Sequence, residues 1–294
     1  MVAKKCAIVI HMLQYNTVLQ QICNTILTVL YYNTMTPLHT AIHATLALTD
    51  LHPSNHVNAV LHELVTQVIN SQEDIADIAP NTVAKVQDIC ARAEGELESY
   101  WSERIATAAI PHQVVEEFPY WDNYAQLARH EVGLLKQSGL ALENVKRMLI
   151  IGSGPLPLSA VHFARHLPST ALIDHIDNNP DAVRSGEALL RALGYNGHYL
   201  CVDGASGGLT ERYDVVLVAA LAGSALSDKQ AITDAVLPNI SDGGRLLMRS
   251  ARGIRGLLYP VFAATELSGA TLLAEHHPED DTINSVFIYG KEPS

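Results

Sequence analysis

The sequence is poor in basic residues and in cysteine, and each shortage excludes a class of function. It carries 19 Lys and Arg against 31 Asp and Glu, a formal net charge of -12, and no cluster of basic residues. Because nucleic-acid binding depends on concentrated positive charge, no nucleic-acid partner is expected. The 4 cysteines form no CxxC pair, so the sequence predicts neither a disulfide framework nor a structural zinc site.

Charge of either sign is missing near the start of the chain, where no Asp, Glu, Lys or Arg occurs between Cys6 and Thr49. Polar amides interrupt this stretch too often for a membrane span, which needs about 20 predominantly apolar residues. No A-x-A cleavage site of a signal peptide follows it. We therefore expect a cytoplasmic protein without membrane association, in which this stretch is a buried helix or an interface helix. A homodimer is the expected oligomer, with or without this stretch in its interface.

The first half of the chain has helical periodicity. Apolar residues recur at spacings of three and four over residues 55–70, and again from Asn81 to Ile105, with Asn81 as a candidate N-cap. A further helix is expected from about Asp122 to the glycine of "QSGL". Since 294 residues can form two packed domains, we predict an all-helical N-terminal domain over residues 1–140.

The second half, residues 141–294, alternates short apolar runs with helical segments. Such alternation predicts a mostly parallel sheet with helices on both faces, an α/β fold with a Rossmann-like, class I methyltransferase-type sheet. Ligands of these sheets bind at the carboxyl ends of the strands. The expected strands are Met148–Ile151, Leu172–Ile176, Tyr199–Val202, Val215–Val218, Leu246–Met248, Leu272–Ala274 and Val286–Tyr289, and the expected helices are Leu158–His166, Asp181–Leu193 and Asp228–Leu237.

The stretch "LIIGSGPLPLSA" forms the turn between the first strand and its helix. Gly152, Ser153 and Gly154 would let the backbone approach a ligand closely, and Pro155 suits a first helical turn. A dinucleotide site would need a third glycine where this chain has Pro157. The turn therefore favours a nucleoside ligand without phosphates, such as S-adenosylmethionine, although a glycine turn at this place can also be only a tight turn.

Acidic residues follow the next two strands. Asp177 is placed to accept hydrogen bonds from the hydroxyls of a ribose, and Asp203 to contact an adenine amino group. Either residue could instead cap a strand end. Together with Ala219 after the fourth strand, they complete the predicted binding site of the nucleoside.

Several segments, taken together and in order, resemble the nicotianamine synthase family. The resemblance extends from about Val57 to Pro260, while the first fifty residues and the tail match poorly. The segments that carry it are "ARAEGELESYWS", "FPYWDNYAQLARHE", "GSGPLPLSA", "YDVVLVAALAG" and "LLMRSARGIRGLLYP".

The resemblance implies a helical domain on a Rossmann-like domain, with S-adenosylmethionine as co-substrate. Members of the family transfer its 3-amino-3-carboxypropyl group, not its methyl group, to an amine, and release methylthioadenosine. It further implies that Glu94 is the carboxylate facing the attacking amine, that Tyr120 orients the aminobutyrate group, and that Tyr124 contacts substrate. A paired surface carboxylate remains the alternative for Glu94.

Two arginines and two histidines complete the predicted chemistry. Arg249 and Arg252 are placed to bind an amino-acid carboxylate, since a guanidinium offers a bidentate fork, with structural salt bridges as the equal alternative. His276 and His277 precede an acidic run, but their spacing has no established ligand geometry, so no metal requirement is predicted.

The identity of the acceptor amine separates the remaining hypotheses. The loose match of the helical half to plant members favours the bacterial branch, in which histidine is the acceptor in biosynthesis of a staphylopine- or pseudopaline-type metallophore and an opine-type dehydrogenase takes the product. The first alternative is nicotianamine synthase, which uses S-adenosylmethionine alone. An ordinary methyltransferase and a non-catalytic binding protein are further alternatives.

Overall fold

The computed structural model describes residues 35–195, 197–262 and 267–291. The charge-free segment before residue 35, predicted to be a buried or interface helix, lies outside these ranges. Among the described helices, none has both the length and the apolarity to cross a membrane. The helices of the first half are α1 (Pro37–Leu46), α2 (Asn55–Asn70), α3 (Pro80–Ala106), α4 (Pro111–Val114) and α5 (Trp121–Gln137), with 3₁₀ helices at Ile75–Asp77, Val115–Glu117 and Leu142–Asn144.

Helix α3 is the longest of these helices and passes beside the cleft described below. Its 27 residues span about 40 Å at the usual rise of an α-helix. The prediction of Asn81 as its N-cap was wrong: Ala79 occupies that position and Pro80 is the first helical residue. A proline is well suited there because the missing N–H would have no partner within the helix.

The second half forms a seven-stranded sheet in the order β3-β2-β1-β4-β5-β7-β6. All strands are parallel except β7, which is antiparallel to both β5 and β6. The predicted class I methyltransferase-type α/β fold is therefore confirmed. The strands are β1 (Arg147–Ile151), β2 (Leu172–Asp177), β3 (Tyr199–Cys201), β4 (Tyr213–Val218), β5 (Ile240–Ser250), β6 (Ala270–His276) and β7 (Ser285–Lys291), and the helices are α6 (Leu158–Phe163), α7 (Pro180–Ala192) and α8 (Leu226–Val236), with 3₁₀ helices at Leu237–Asn239 and Gly253–Leu257.

Alternate residues of β1 pack on opposite faces of the sheet. Met148 and Ile150 belong to a core that includes Leu135 of α5, whereas Leu149 and Ile151 belong to a second core with α8. This alternation follows from the two-residue period of a strand. Because α5 from the helical half packs on the sheet, the two halves share a core, and a domain boundary near residue 140 stays a prediction.

Candidate active site

A cleft of about 1180 Å³ lies between the helical half and the carboxyl ends of the first four strands. The sheet side provides the turns after β1, β2, β3 and β4, and the helical side provides α2 and α3. The 3₁₀ segment near Tyr259 and the loop at 281–284 close the remaining sides. The predicted glycine turn and the predicted carboxylate therefore face one shared space.

The glycine turn after β1 has a backbone that only glycine adopts easily. Gly152 and Gly154 have φ of +72° and +68°, in the left-handed region. A Cβ atom at Gly152 would lie 2.7 Å from Cβ of Ala222, and one at Gly154 would lie 2.8 Å from Oε2 of Glu98. Both glycines are thus required by backbone geometry and by close neighbours.

The two prolines lie before the helix rather than in it. The prediction that Pro155 belongs to the first helical turn was wrong, since α6 begins at Leu158 with Pro157 as its N-cap. Ser153 is buried and its Oγ lies 2.9 Å from Nδ1 of His175 on β2. Burial lowers the pKa of His175 to about 3. The imidazole is therefore neutral, and its hydrogen bond with Ser153 fixes the position of that side chain in the turn.

Asp177 is the last residue of β2 rather than the first residue after it, and Asp203 follows β3 as predicted. Asp177 accepts a hydrogen bond from the backbone N–H of Gly154 at 2.9 Å, and its other oxygen accepts one from Asn179 at 2.9 Å. Asp203 is exposed and its Oδ1 accepts from the N–H of Ala205 at 2.9 Å. Both residues line the cleft, as Ala219 does, so their predicted contacts with a nucleoside are sterically open.

Two glutamates of α3, one helical turn apart, line the cleft, and Glu98 lies next to Gly154 of the glycine turn. Oε2 of Glu94 accepts a hydrogen bond from the hydroxyl of Tyr259 at 2.8 Å. Oε1 of Glu98 accepts one from the hydroxyl of Tyr124 at 3.1 Å. Glu96, between them on the helix, is exposed to solvent. Glu94 is therefore not a paired surface acid.

The surroundings of Glu94 and Glu98 raise the pKa of both carboxyl groups above the values they have in water. Burial raises the pKa of Glu94, while the Tyr259 hydroxyl and the charge of Arg249 lower it. Burial and the charge of Glu94 raise the pKa of Glu98 well above its usual range. Because two close carboxylates resist being ionised together, the pair favours a bound proton, and the upward shift of the pKa is the larger one at Glu98.

Tyr120 lies at the N-cap of α5 and lines the cleft beside this pair. Its ring packs edge-to-face on Phe118 with centroids 5.8 Å apart. Burial and the charge of Glu94 raise the pKa of Tyr120, so its hydroxyl stays a hydrogen-bond donor. Its predicted role in orienting a substrate is compatible with this position.

The two predicted arginines are not brought together. Arg249 is buried, and its Nε and Nη2 donate to the two oxygens of Glu131 on α5 at 2.6 and 2.9 Å. This bidentate bond is a structural salt bridge, which was one of the two alternatives that the sequence allowed for Arg249. Arg252 is exposed and lies outside the lining of the cleft. We therefore retain neither residue as the primary ligand of an amino-acid carboxylate, although Arg249 borders the cleft.

Three residues of this site were not predicted to function in it: Glu98, Glu131 and Tyr259. Glu98 follows Glu94 by one helical turn, which is the one local signal that could have indicated it. The partners of Glu131 and Tyr259 are 118 and 165 residues away in sequence, beyond any local pattern. In the described ranges no group of three or more His, Cys, Asp or Glu is arranged to hold a metal ion.

Comparison with known proteins connects this geometry with one family. The family described as "Nicotianamine synthase protein" matches residues 25–294. Nicotianamine synthase 9 of Hordeum vulgare is 38% identical over 255 residues, covering 83% of this chain and 74% of that protein. Nicotianamine synthase 3 of Oryza sativa subsp. indica is 38% identical over 260 residues, covering 84% and 75%.

Solved structures share the fold. MtNAS in complex with MTA and tNA superimposes with a TM-score of 0.74 at 19% identity, covering 90% of this chain and 98% of that one. A Glu-to-Gln variant of MtNAS in complex with S-adenosylmethionine gives a TM-score of 0.73 at 19% identity, covering 87% and 97%. With the family matched over nearly the whole sequence and plant relatives at 38% identity, this chain belongs to the nicotianamine synthase family.

Proposed function

We propose that this chain is a nicotianamine synthase, which uses S-adenosylmethionine both as the donor of the 3-amino-3-carboxypropyl group and as the source of the acceptor amine. The observation that carries the proposal is Glu94, a half-buried carboxylate that lines the same cleft as the glycine turn and accepts a hydrogen bond from Tyr259. Ligand pockets for one small molecule measure roughly 300–1,000 Å³. A cleft of about 1180 Å³ is therefore large enough for donor and acceptor together.

The donor's nucleoside would lie on the sheet side, at the carboxyl ends of the strands. Gly152, Ser153, Gly154 and Pro155 would form the floor beneath it. We assign the ribose hydroxyls to Asp177 and the adenine to the region of Asp203 and Ala219, which line the same wall. This arrangement would aim the aminobutyrate chain at α3.

Glu94 would act as the general base. The acceptor ammonium transfers a proton to the Glu94 carboxylate, which leaves a free electron pair on nitrogen. That pair attacks the methylene carbon bonded to sulfur, a new C–N bond forms, and the C–S bond breaks with its electrons passing to sulfur. The products are a secondary ammonium, which carries the positive charge that the sulfonium had, and the neutral thioether methylthioadenosine.

Orientation would select the carbon that reacts. A sulfonium activates all three carbons bonded to it, so alignment of the nucleophile with one of them decides between aminocarboxypropyl transfer and methyl transfer. Tyr120 and Tyr124 lie on the helical side, next to Glu94 and Glu98, where they can hold the aminobutyrate group. We propose this as the reason for the tyrosines around the carboxylate pair.

The expected histidine acceptor is not retained as the main proposal. It depended on a loose match of the helical half to plant members, yet the family match begins at residue 25 and includes that half. The plant relatives are named nicotianamine synthases and share 38% identity with this chain. An opine-type dehydrogenase was expected only because histidine was the expected acceptor, so it is no longer part of the proposal. A homodimer remains a prediction.

The acceptor is tested by mass spectrometry of reactions with S-adenosylmethionine alone and with added L- or D-histidine. We expect methylthioadenosine and nicotianamine from S-adenosylmethionine alone, and no change on adding either histidine. An adduct that forms only with histidine would support the bacterial type of reaction instead. S-adenosylhomocysteine as the main nucleoside product would indicate a methyltransferase.

The Tyr259 hydroxyl should set the pH range of the reaction. Its hydrogen bond lowers the pKa of Glu94, so Tyr259→Phe raises that pKa further. A smaller fraction of Glu94 is then ionised at a given pH, and the acidic limb of the kcat profile should move to higher pH. The measurement is kcat against pH, with Tyr100→Phe on the exposed side of α3 as control. Identical limbs in both variants would contradict the assignment of Glu94 as base.

A further inference from the structure

A lysine side chain is buried beneath the cleft. Burying a charged group costs free energy unless hydrogen bonds or an opposite charge compensate for the lost water. Lys229 of α8 is 1% exposed. Burial lowers its pKa to about 7, against a smaller opposing effect of the Asp228 charge. No ion pair to its ammonium group occurs within the described parts of the chain.

The ammonium group is bonded to a loop of the cleft instead. Nζ of Lys229 donates to the carbonyl oxygen of Ala219 at 2.7 Å and to that of Ala220 at 3.1 Å. Both alanines line the cleft at the end of β4. The buried cation thus holds the first two residues of the loop at 219–225 from below.

The neighbouring carboxylate holds the other end of the same loop. Oδ2 of Asp228 accepts hydrogen bonds from the backbone N–H of Ser224 and of Ala225, each at 3.0 Å. Between the two attachment points, Gly223 has φ of +83° and a Cβ there would lie 2.8 Å from Cβ of Asp228. The loop is therefore fixed at both ends by consecutive residues of one helix.

The fixed loop packs against the glycine turn. The N–H of Ala219 donates to the carbonyl of Ile151 at 3.0 Å, at the last residue of β1. Cβ of Ala222 lies where a side chain at Gly152 would have to be, at 2.7 Å. A shift of the loop by a few tenths of an ångström would change the space between it and the turn.

We propose that Asp228 and Lys229 are positioning residues which clamp the loop at 219–225 against the glycine turn and so set the shape of the pocket for the donor's nucleoside. This inference rests on the proposed function, because it places the donor at that turn. Neither residue needs to touch the donor. Their hydrogen bonds to backbone groups hold the loop, and the loop in turn contacts the donor.

The test measures binding of methylthioadenosine by calorimetry, together with KM and kcat for S-adenosylmethionine, in Lys229→Met and Asp228→Ala. Loss of a hydrogen bond to a charged group should weaken methylthioadenosine binding about tenfold or more in Lys229→Met, and raise KM in parallel while kcat changes by less than about threefold. Asp228→Ala should also weaken methylthioadenosine binding and raise KM. Because its position is partly exposed, this variant tests the clamp even where Lys229→Met does not fold.

Thr233→Val is the matched control. Thr233 is buried on the same helix, and its hydroxyl donates to the carbonyl of Lys229 at 2.8 Å, which is a group of α8 and not of the loop. Its loss should lower Tm and leave the affinity for methylthioadenosine unchanged. Wild-type affinity in both clamp variants, or an equal loss in Thr233→Val, would overturn the clamp. Wild-type protein that does not bind methylthioadenosine would overturn the proposed function itself.

Discussion

Replacing Glu94 with glutamine is expected to lower kcat by roughly 10²–10⁴-fold, the usual contribution of a general base, while the donor still binds. Glutamine keeps the size of the side chain and can still accept the Tyr259 hydrogen bond, but it cannot take a proton. The acceptor amine then stays an ammonium without a free electron pair. Binding of S-adenosylmethionine, which lies on the opposite wall in this account, should remain within about threefold of wild type.

Two glutamates of the same helix provide the controls. Glu96→Gln changes an exposed carboxylate two residues away and should leave kcat and binding unchanged. Glu98→Gln is more informative, because burial and the charge of Glu94 raise the pKa of Glu98 and favour its neutral form. Replacing a neutral carboxyl with a neutral amide should cost less than about tenfold in kcat. A larger loss in Glu98→Gln than in Glu94→Gln would reverse the assignment of the base.

Gly152→Ala is expected to weaken donor binding strongly. Alanine at φ of +72° is strained, and its Cβ would lie 2.7 Å from Cβ of Ala222 and 3.4 Å from Cβ of Ala219. These neighbours belong to the loop at 219–225, so the clash would push the wall of the nucleoside pocket away from the turn. Relieving such an overlap costs roughly 1–3 kcal/mol, and where the donor needs the unshifted wall this corresponds to a loss of about tenfold to a hundredfold in affinity.

Gly194→Ala separates the clash from the strain. Gly194 has nearly the same φ, +73°, but nothing lies within 4 Å of a Cβ placed there, and it is outside the cleft. Both variants should lose stability, seen as a lower Tm, whereas only Gly152→Ala should lose affinity for methylthioadenosine in calorimetry. Equal affinities in the two variants would show that the glycine turn does not bind the donor.

Strand positions could be predicted well where the residues are continuously apolar. Expected and observed bounds of β1 differ by one residue, since a strand buried on both faces has a nearly unbroken apolar sequence. For β5 the sequence predicted only Leu246–Met248, whereas the strand extends over Ile240–Ser250. The segment "SDGG" there indicates a turn, and the structure instead continues the strand through it with a register shift against β4.

The composition of one short segment indicated the glycine turn and the family resemblance indicated Glu94, and both line the cleft. What the sequence could not provide is the pairing between segments. Arg249 binds Glu131 across 118 residues, and Tyr259 binds Glu94 across 165. An arginine in an arginine-rich segment is equally compatible with substrate binding and with a salt bridge. Only the packing of α5 on the sheet distinguishes the two.

The cleft is proposed to direct the amine to the aminobutyrate methylene of S-adenosylmethionine rather than to its methyl group. The most direct test is one reaction with S-adenosylmethionine labelled with ¹³C in the methyl group, followed by mass spectrometry of nucleoside and amine products. We predict that all of the label leaves in methylthioadenosine and that the amine product is unlabelled. Label in the amine product, accompanied by S-adenosylhomocysteine, would contradict the account.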